Sequence, residues 1–270
     1  PLPTPIGMEA AGIIEELGPG VTEFQVGDRV AYASAPLGSY SEVRTFPIQN
    51  LVKIPDDISD DIAAAIMLKG MTAEYLIRRT YKVMSGQTVL FHAAAGGVGL
   101  IACQWLKAIG ATVIGTVGSH EKSELAKANG CDHTILYKEE DFVDKVKAIT
   151  NGKGVPVVYD SVGKDTALNS LDCLSSLGLL VIFGNSSGNA PAIEPGLLAT
   201  KGSLYVTRPT LFNYNDTREK LMESANQVFS MVRSGKVSIK IGAQYDLKDA
   251  VQAHKDLEAR KTTGCIILRP

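Results

Sequence analysis

Phe91-His92-Ala93-Ala94-Ala95-Gly96-Gly97-Val98-Gly99 is the stretch on which the fold turns. It follows the β-prone run Thr88–His92 and opens a helical pattern over 97–109. In that context a glycine-rich turn can cradle a phosphate. Against the dinucleotide spacing GxGxxG the positions are Ala94, Gly96 and Gly99, so alanine stands where the first glycine is usual. Gly96 and Gly97 let the backbone approach a pyrophosphate, and Gly99 lets the helix pack close to the strand. The helix N-terminus adds unpaired N–H groups and a partial positive charge. The bland explanation is a tight turn, but its place at the first turn of a strand–helix series favours a dinucleotide.

Downstream the alternation continues. Strands are expected at 88–92, 112–117, 134–137, 155–160, 178–183 and 203–207, with helices near 97–109, 120–129, 140–150, 164–174 and 193–200. Six apolar strands separated by helices predict an α/β fold built on a doubly wound parallel Rossmann sheet, buried on both faces. Upstream, residues 1 to about 55 read as β. They hold the run Ala10–Glu15, the turn Leu17-Gly18-Pro19-Gly20, the segment Val30–Ala33 and an alternating stretch from Gly38 to Phe46. Short turns without helical spacing suggest a small barrel or sandwich. Ser59-Asp60-Asp61 reads as a capped helix start before 62–68, with a second helix over 72–79. Beyond 207 the pattern gives a helix over 217–234, a strand over 237–245, a helix over 246–259 and a strand over 265–268. This tail is expected to dock on the first β unit, because one strand pair cannot bury itself. The expected division is therefore 1–70, 71–208 and 209–270.

Composition sets the outer limits. The 270 residues carry 27 basic and 29 acidic side chains, a formal net charge of −2, with 45% hydrophobic residues. Balanced charge argues against a groove held by phosphate neutralisation, so nucleic acid is not an expected partner. No run approaches the roughly 20 apolar residues of a membrane-spanning helix. Cys103, Cys131, Cys173 and Cys265 lie too far apart for a CxxC site and are expected to be buried and reduced, in a cytoplasmic setting. The chain opens Pro1-Leu2-Pro3-Thr4-Pro5 without an initiator methionine or signal-like segment, and a shortened or fragmentary form is expected.

The end of the second strand bears on which dinucleotide is bound. An NAD site usually places a carboxylate there for the ribose hydroxyls. Here the stretch is Gly115-Thr116-Val117-Gly118-Ser119-His120-Glu121-Lys122. Ser119 can donate and Lys122 brings positive charge, which suits the 2′-phosphate of NADPH. Glu121 fits the first turn of a helix, and an ordinary capped helix with a solvated lysine is the competing explanation.

Together with these residues, several motifs resemble the zeta-crystallin-like NADPH:quinone oxidoreductases of the medium-chain dehydrogenase/reductase superfamily. They are Gly7-Met8-Glu9-Ala10-Ala11-Gly12, Gly27-Asp28-Arg29-Val30, Leu68-Lys69-Gly70-Met71-Thr72-Ala73, the loop His92–Gly99, Tyr159-Asp160-Ser161-Val162-Gly163 and Phe183-Gly184-Asn185-Ser186-Ser187-Gly188. The resemblance implies a GroES-like β-rich catalytic domain around the Rossmann domain, and a homodimer joined through the edge strand near 203–207. It implies that Gly118, Ser119 and Lys122 meet the adenosine 2′-phosphate, that Tyr137 lies beside the adenine ribose or phosphate, and that Gly97 and Val98 meet the pyrophosphate approached by Gly96. Phe183, Gly184, Asn185 and Ser186 would line the nicotinamide end, and Ser161 would also bind the cofactor. Tyr75 would face the nicotinamide and could orient substrate, and Arg260 would reach the cofactor phosphates. Apart from the family, Tyr137 and Phe183 could be packing residues at strand ends, Asn185 a turn former and Arg260 a solvated charge.

The zinc enzymes of that superfamily carry Gly-His-Glu where this chain has Gly7-Met8-Glu9. A thioether is a poor zinc ligand, and no cysteine precedes Cys103, so zinc-independent chemistry is expected. Without a Lewis acid the acceptor should be easily reduced: a quinone or a conjugated carbonyl. No histidine among His92, His120, His133 and His254 stands out as a general acid. Relatives carry further residues before Gly7, so the substrate cleft is expected to lack a wall. A nucleotide-binding protein with a structural or sensing role and little catalysis is the alternative.

Overall fold

The computed structural model describes residues 2–259 and 261–270. The chain divides into two compact units, one formed by residues up to Thr72 together with Tyr214–Pro270, the other by Ala73–Asn213.

The discontinuous unit begins with β1 (Glu9–Ile13), β2 (Arg29–Ala33) and β3 (Val52–Lys53), a small antiparallel sheet in that order. Ile14, Phe24, Val30, Tyr32 and Leu51 form its core, and Phe46 stacks on Tyr32 at 3.9 Å between ring centroids. The alternating stretch from Gly38 to Phe46 makes no strand. Its residues are spent on local contacts instead. Arg44 hydrogen-bonds the Tyr32 hydroxyl and the carbonyls of Pro36 and Leu37, which folds the segment back on β2. Two helices were expected between 62 and 79, but α1 (Asp60–Tyr75) runs without a break and continues as one π-turn over Leu76–Thr80. The acidic pair Asp60 and Asp61 occupies its first turn, and the Ser59 hydroxyl accepts from the Ile62 N–H at 3.3 Å.

The continuous unit holds the expected sheet. Its elements are β4 (Thr88–Phe91), α2 (Gly97–Ile109), β5 (Thr112–Val117), α3 (His120–Ala128), β6 (His133–Leu136), α4 (Phe142–Ile149), β7 (Val155–Asp160), α5 (Ala167–Ser170), β8 (Leu174–Ile182), α6 (Pro195–Thr200) and β9 (Tyr205–Thr207). All pairings are parallel and the order is β6-β5-β4-β7-β8-β9. The chain moves one way from β4 to β6, then crosses back to β7 on the other side of β4. Leu90, Ile114, Val158 and Leu180, each 0% exposed, come from four neighbouring strands of one core. The helix expected over 164–174 is shorter: α5 passes into a 3₁₀ turn at Leu171–Cys173, and β8 begins four residues earlier than its apolar run suggested.

A short α7 (Leu211–Tyr214) leads to α8 (Arg218–Arg233), β10 (Ile241–Asp246), α9 (Ala250–Glu258) and β11 (Cys265–Arg269). β10 and β11 pair in parallel, and the Cys265 thiol donates to the Ala65 carbonyl of α1. The tail thus belongs to the same unit as the N-terminal sheet. Among the described residues no helix is long and apolar enough to cross a membrane. All four cysteines are free and buried, and burial pushes the Cys173 thiol up to about 12.

Candidate cofactor site

In an open parallel sheet, a ligand crevice forms at the carboxyl ends of the strands where the strand order reverses. Here that point lies between β4 and β7. The loop after β4 turns through Ala93, which adopts a left-handed φ of 54°, and enters α2 at Gly96. Gly96 is the N-cap of a 13-residue helix and has no side chain to cap it. The first-turn N–H groups of Gly97 and Val98 therefore suit an anion. A Cβ on Gly99 would lie 2.6 Å from the Ala94 carbonyl oxygen, so only glycine lets α2 sit this close to its strand. Alanine at the first motif position is accommodated from next door. A Cβ on Gly115 of β5 would lie 2.5 Å from the Ala94 Cβ and 2.6 Å from the Cys131 Sγ.

Beneath this loop runs a buried polar chain absent from the sequence reading. His92 is 0% exposed; its Nε2 lies 2.9 Å from Ser170 Oγ and its Nδ1 lies 2.9 Å from Thr116 Oγ1. The Ser170 hydroxyl donates to the Thr166 carbonyl at 2.8 Å, so it must accept from His92. That fixes the neutral imidazole with its proton on Nε2, and Thr116 then donates to Nδ1 while accepting from the Ala93 N–H at 3.3 Å. On the far side Thr166 Oγ1 donates to Asp160 Oδ2 at 2.7 Å, and the N–H groups of Val162 and Gly163 donate to Asp160 Oδ1. Burial pushes the His92 pKa down, against the opposing pull of Asp160. One continuous network thus ties the ends of β5, β4 and β7. The motif residue Asp160 carried the signal, but its partners are distant in sequence.

At the end of β5, Gly118 lies beside Tyr137: a Cβ there would be 3.3 Å from the Tyr137 hydroxyl. Ser119 caps the next helix, and its hydroxyl proton is left to donate. Its hydroxyl is the N-cap of α3 and accepts from the Lys122 N–H at 3.3 Å, because an extended residue before a helix places its oxygen over the first turn. Lys122 stands in that same turn.

The loops after β7 and β8 are laced together. Phe183 N–H donates to the Asp160 carbonyl at 2.8 Å, Ser186 N–H to Ser161 at 3.1 Å and Ser187 N–H to Val162 at 3.0 Å. A Cβ on Gly184 would lie 2.7 Å from the Ser161 carbonyl oxygen. Asn185 donates to the Asn189 side chain at 3.1 Å, a local turn bond. Ser161, Phe183, Gly184, Asn185 and Ser186 therefore share one rigid floor beside the β4 loop. Tyr75, expected to face the nicotinamide mouth, is 2% exposed at the end of α1. Arg260 lies outside the described residues.

In the other unit, Glu9 of β1 accepts from the Leu68 N–H at 2.8 Å and pairs with the Lys69 ammonium at 2.9 Å. Burial alone would lower the Lys69 pKa, but Glu9 beside it outweighs this and holds the amine charged.

Known proteins resemble the chain along its whole length. A quinone oxidoreductase of Pseudomonas aeruginosa is 52% identical over 269 residues, covering 100% of this chain and 83% of that protein. The chain belongs to the quinone oxidoreductase family. Its superfamily is that of the medium-chain dehydrogenases/reductases. The alcohol dehydrogenase GroES-like domain model matches residues 1–56 and the zinc-binding dehydrogenase model residues 97–227. Another member of the quinone oxidoreductase family, the Escherichia coli enzyme solved in complex with NADPH, is 50% identical, with a TM-score of 0.97 over 100% of this chain and 83% of that one. A 2-haloacrylate reductase of a Burkholderia species is 47% identical, across 99% of this chain and 81% of its own length.

Proposed function

We propose that this chain is an NADPH-dependent reductase of quinones or related conjugated carbonyls that works without zinc. The observation that carries the proposal is the uncapped, glycine-lined start of α2 at the switch point, with Lys122 and Tyr137 rather than a carboxylate at the next strand end. The NADPH-bound E. coli relative supports this choice of cofactor. The residues present fit the group: Gly97 and Val98 N–H groups would hold the pyrophosphate, and Lys122, Tyr137 and Gly118 the 2′-phosphate. Ser161 and Phe183–Ser186 would support the nicotinamide end. When bound, NADPH supplies the hydride. The chain's part is to hold the ring at a fixed face and to keep that floor from shifting, which the bonds between the β7 and β8 loops do.

Zinc independence is supported by Glu9. Its two oxygens are committed to the Leu68 N–H and to Lys69, beside a thioether at Met8. A conjugated carbonyl accepts hydride without a Lewis acid, and quinone and 2-haloacrylate relatives both act on such electron-poor double bonds by name. The 1–72 and 214–270 segments would form the catalytic domain and 73–213 the NADPH-binding domain. Tyr205 on the edge strand β9 is 59% exposed, which suits pairing with a second copy. Four free buried thiols suit a reducing, cytoplasmic setting.

The deciding experiment mixes the purified chain with NADPH and 1,2-naphthoquinone and follows the nicotinamide absorbance band. Oxidation that depends on both partners is expected. Tight NADPH binding without oxidation, with quinone and with 2-chloroacrylate alike, would leave a binding protein and defeat the enzyme reading.

A further inference from the structure

We infer that Lys138 is a second cation for the adenosine 2′-phosphate and a determinant of the preference for NADPH over NADH. The inference rests on the NADPH reading above and adds to it a residue that no motif singles out.

The geometry begins at the end of β6. Glu139 and Glu140 N–H groups both donate to the Leu136 carbonyl, at 2.8 and 2.9 Å, so the chain turns sharply after the strand. The Tyr137 N–H still reaches the Val117 carbonyl of β5 at 3.3 Å. Tyr137 and Lys138 are thereby held at the tip of the turn, beside the end of β5. Measured from a Cβ placed on Gly118, the Tyr137 hydroxyl is 3.3 Å away and the Lys138 Cε 3.7 Å. The lysine side chain therefore folds across Gly118 with its ammonium one bond beyond that carbon. This strand end is where NAD enzymes usually keep a carboxylate.

Charge makes the placement informative. The acids next to Lys138 in sequence are engaged elsewhere: Glu140 pairs with Lys145 at 2.7 Å and accepts from the Leu136 N–H, and Glu139 stands 3.7 Å from His120 Nε2. Among the described residues Lys138 enters no ion pair. An ammonium left without a counter-charge, beside a phenol hydroxyl and a glycine that leaves room, suits a dianionic phosphate monoester. Without Lys138, Lys122 would be the one charged group here among the described residues assigned to that phosphate.

The test compares the unaltered chain with Lys138→Gln and Lys138→Arg. Dissociation constants are measured for NADPH and NADH, and for adenosine 2′,5′-bisphosphate against 5′-AMP as probes without a nicotinamide. Lys138→Gln should weaken NADPH and the bisphosphate about tenfold, leave NADH and 5′-AMP within about twofold, and flatten the salt dependence of NADPH binding. Lys138→Arg should restore most of the loss. Unchanged NADH binding shows that the variant is folded. Equal weakening of NADPH and NADH, or full NADPH preference in Lys138→Gln, overturns the role of Lys138 while the NADPH reading stands. An unaltered chain that binds the bisphosphate no better than 5′-AMP overturns both.

Discussion

Replacing His92 by phenylalanine tests whether the buried chain beneath the phosphate loop acts as one unit. The ring still fits, since His92 already packs edge-on against Phe142 at 5.0 Å between centroids. Two hydrogen bonds are lost. The Thr116 hydroxyl then has a buried proton with no acceptor, at about 1–3 kcal/mol, and Ser170 loses an accepted bond worth about 0.5–1.5 kcal/mol. The expected destabilisation is about 2–4 kcal/mol. The only tryptophan of the chain, Trp105, is 4% exposed in the middle of α2, so its fluorescence during urea unfolding reports on the unit concerned. Thr116→Val should cost a similar amount alone, and the double variant should cost about 1–2 kcal/mol less than the two together, because the orphaned hydroxyl disappears. The pH profile gives a second check. Burial holds the His92 pKa below its ordinary 6.5, so on acidification the unfolded chain takes up a proton that the folded chain refuses. Stability from this residue is therefore present above 6.5 and falls as the pH drops below it, and that slope should be absent from the stability curve of the variant. Strict additivity of the two substitutions, or a His92→Phe variant within about 0.5 kcal/mol of the parent, would refute a coupled network.

Other outcomes follow from the same geometry. Lys122→Ala should weaken NADPH roughly tenfold more than NADH, measured by nicotinamide fluorescence; equal effects on both would defeat its assignment to the 2′-phosphate. Gly115→Ala forces a Cβ within 2.6 Å of both Ala94 and Cys131 and should destabilise the unit by about 1–3 kcal/mol, with Ala94→Gly recovering part of the loss; an unchanged Trp105 unfolding midpoint would contradict the packing. In light scattering the chain should run as a dimer at micromolar concentration, and Tyr205→Lys on β9 should shift it towards monomer; a monomeric parent would count against edge-strand pairing.

The sheet was legible in the sequence because a parallel strand covered on both faces must be apolar throughout, and Thr112–Val117 and Val155–Asp160 were placed to the residue. The phosphate loop was legible because its glycine cluster lies between a strand and a helix, and at Gly99 a Cβ would lie 2.6 Å from the Ala94 carbonyl oxygen. Gly38–Phe46 misled, since its alternation serves the Arg44 contacts and a ring stack rather than a ladder. The π-turn after Tyr75 was also hidden, because helix propensity does not distinguish i→i+4 from i→i+5 bonding. Within the site, His92 looked like a strand-end residue. Its meaning depends on Thr116 and Ser170, 24 and 78 positions away, and no local pattern reports such a partnership.

The interruption of one unit by the other has a consequence for how the chain acquires its structure. Residues 73–213 are contiguous, and each strand of their sheet sits within a few tens of residues of a neighbour. On a ribosome this unit can close as soon as it has emerged. The other unit must wait, because Cys265 of its last strand bonds the Ala65 carbonyl, 200 positions upstream. Until then the face of α1 that carries Ala65 lacks the cover of Cys265 and Ile267. The phosphate loop can thus be complete before β11 emerges, when its ligand can already favour the folded form, and the slow, long-range closure waits for Cys265.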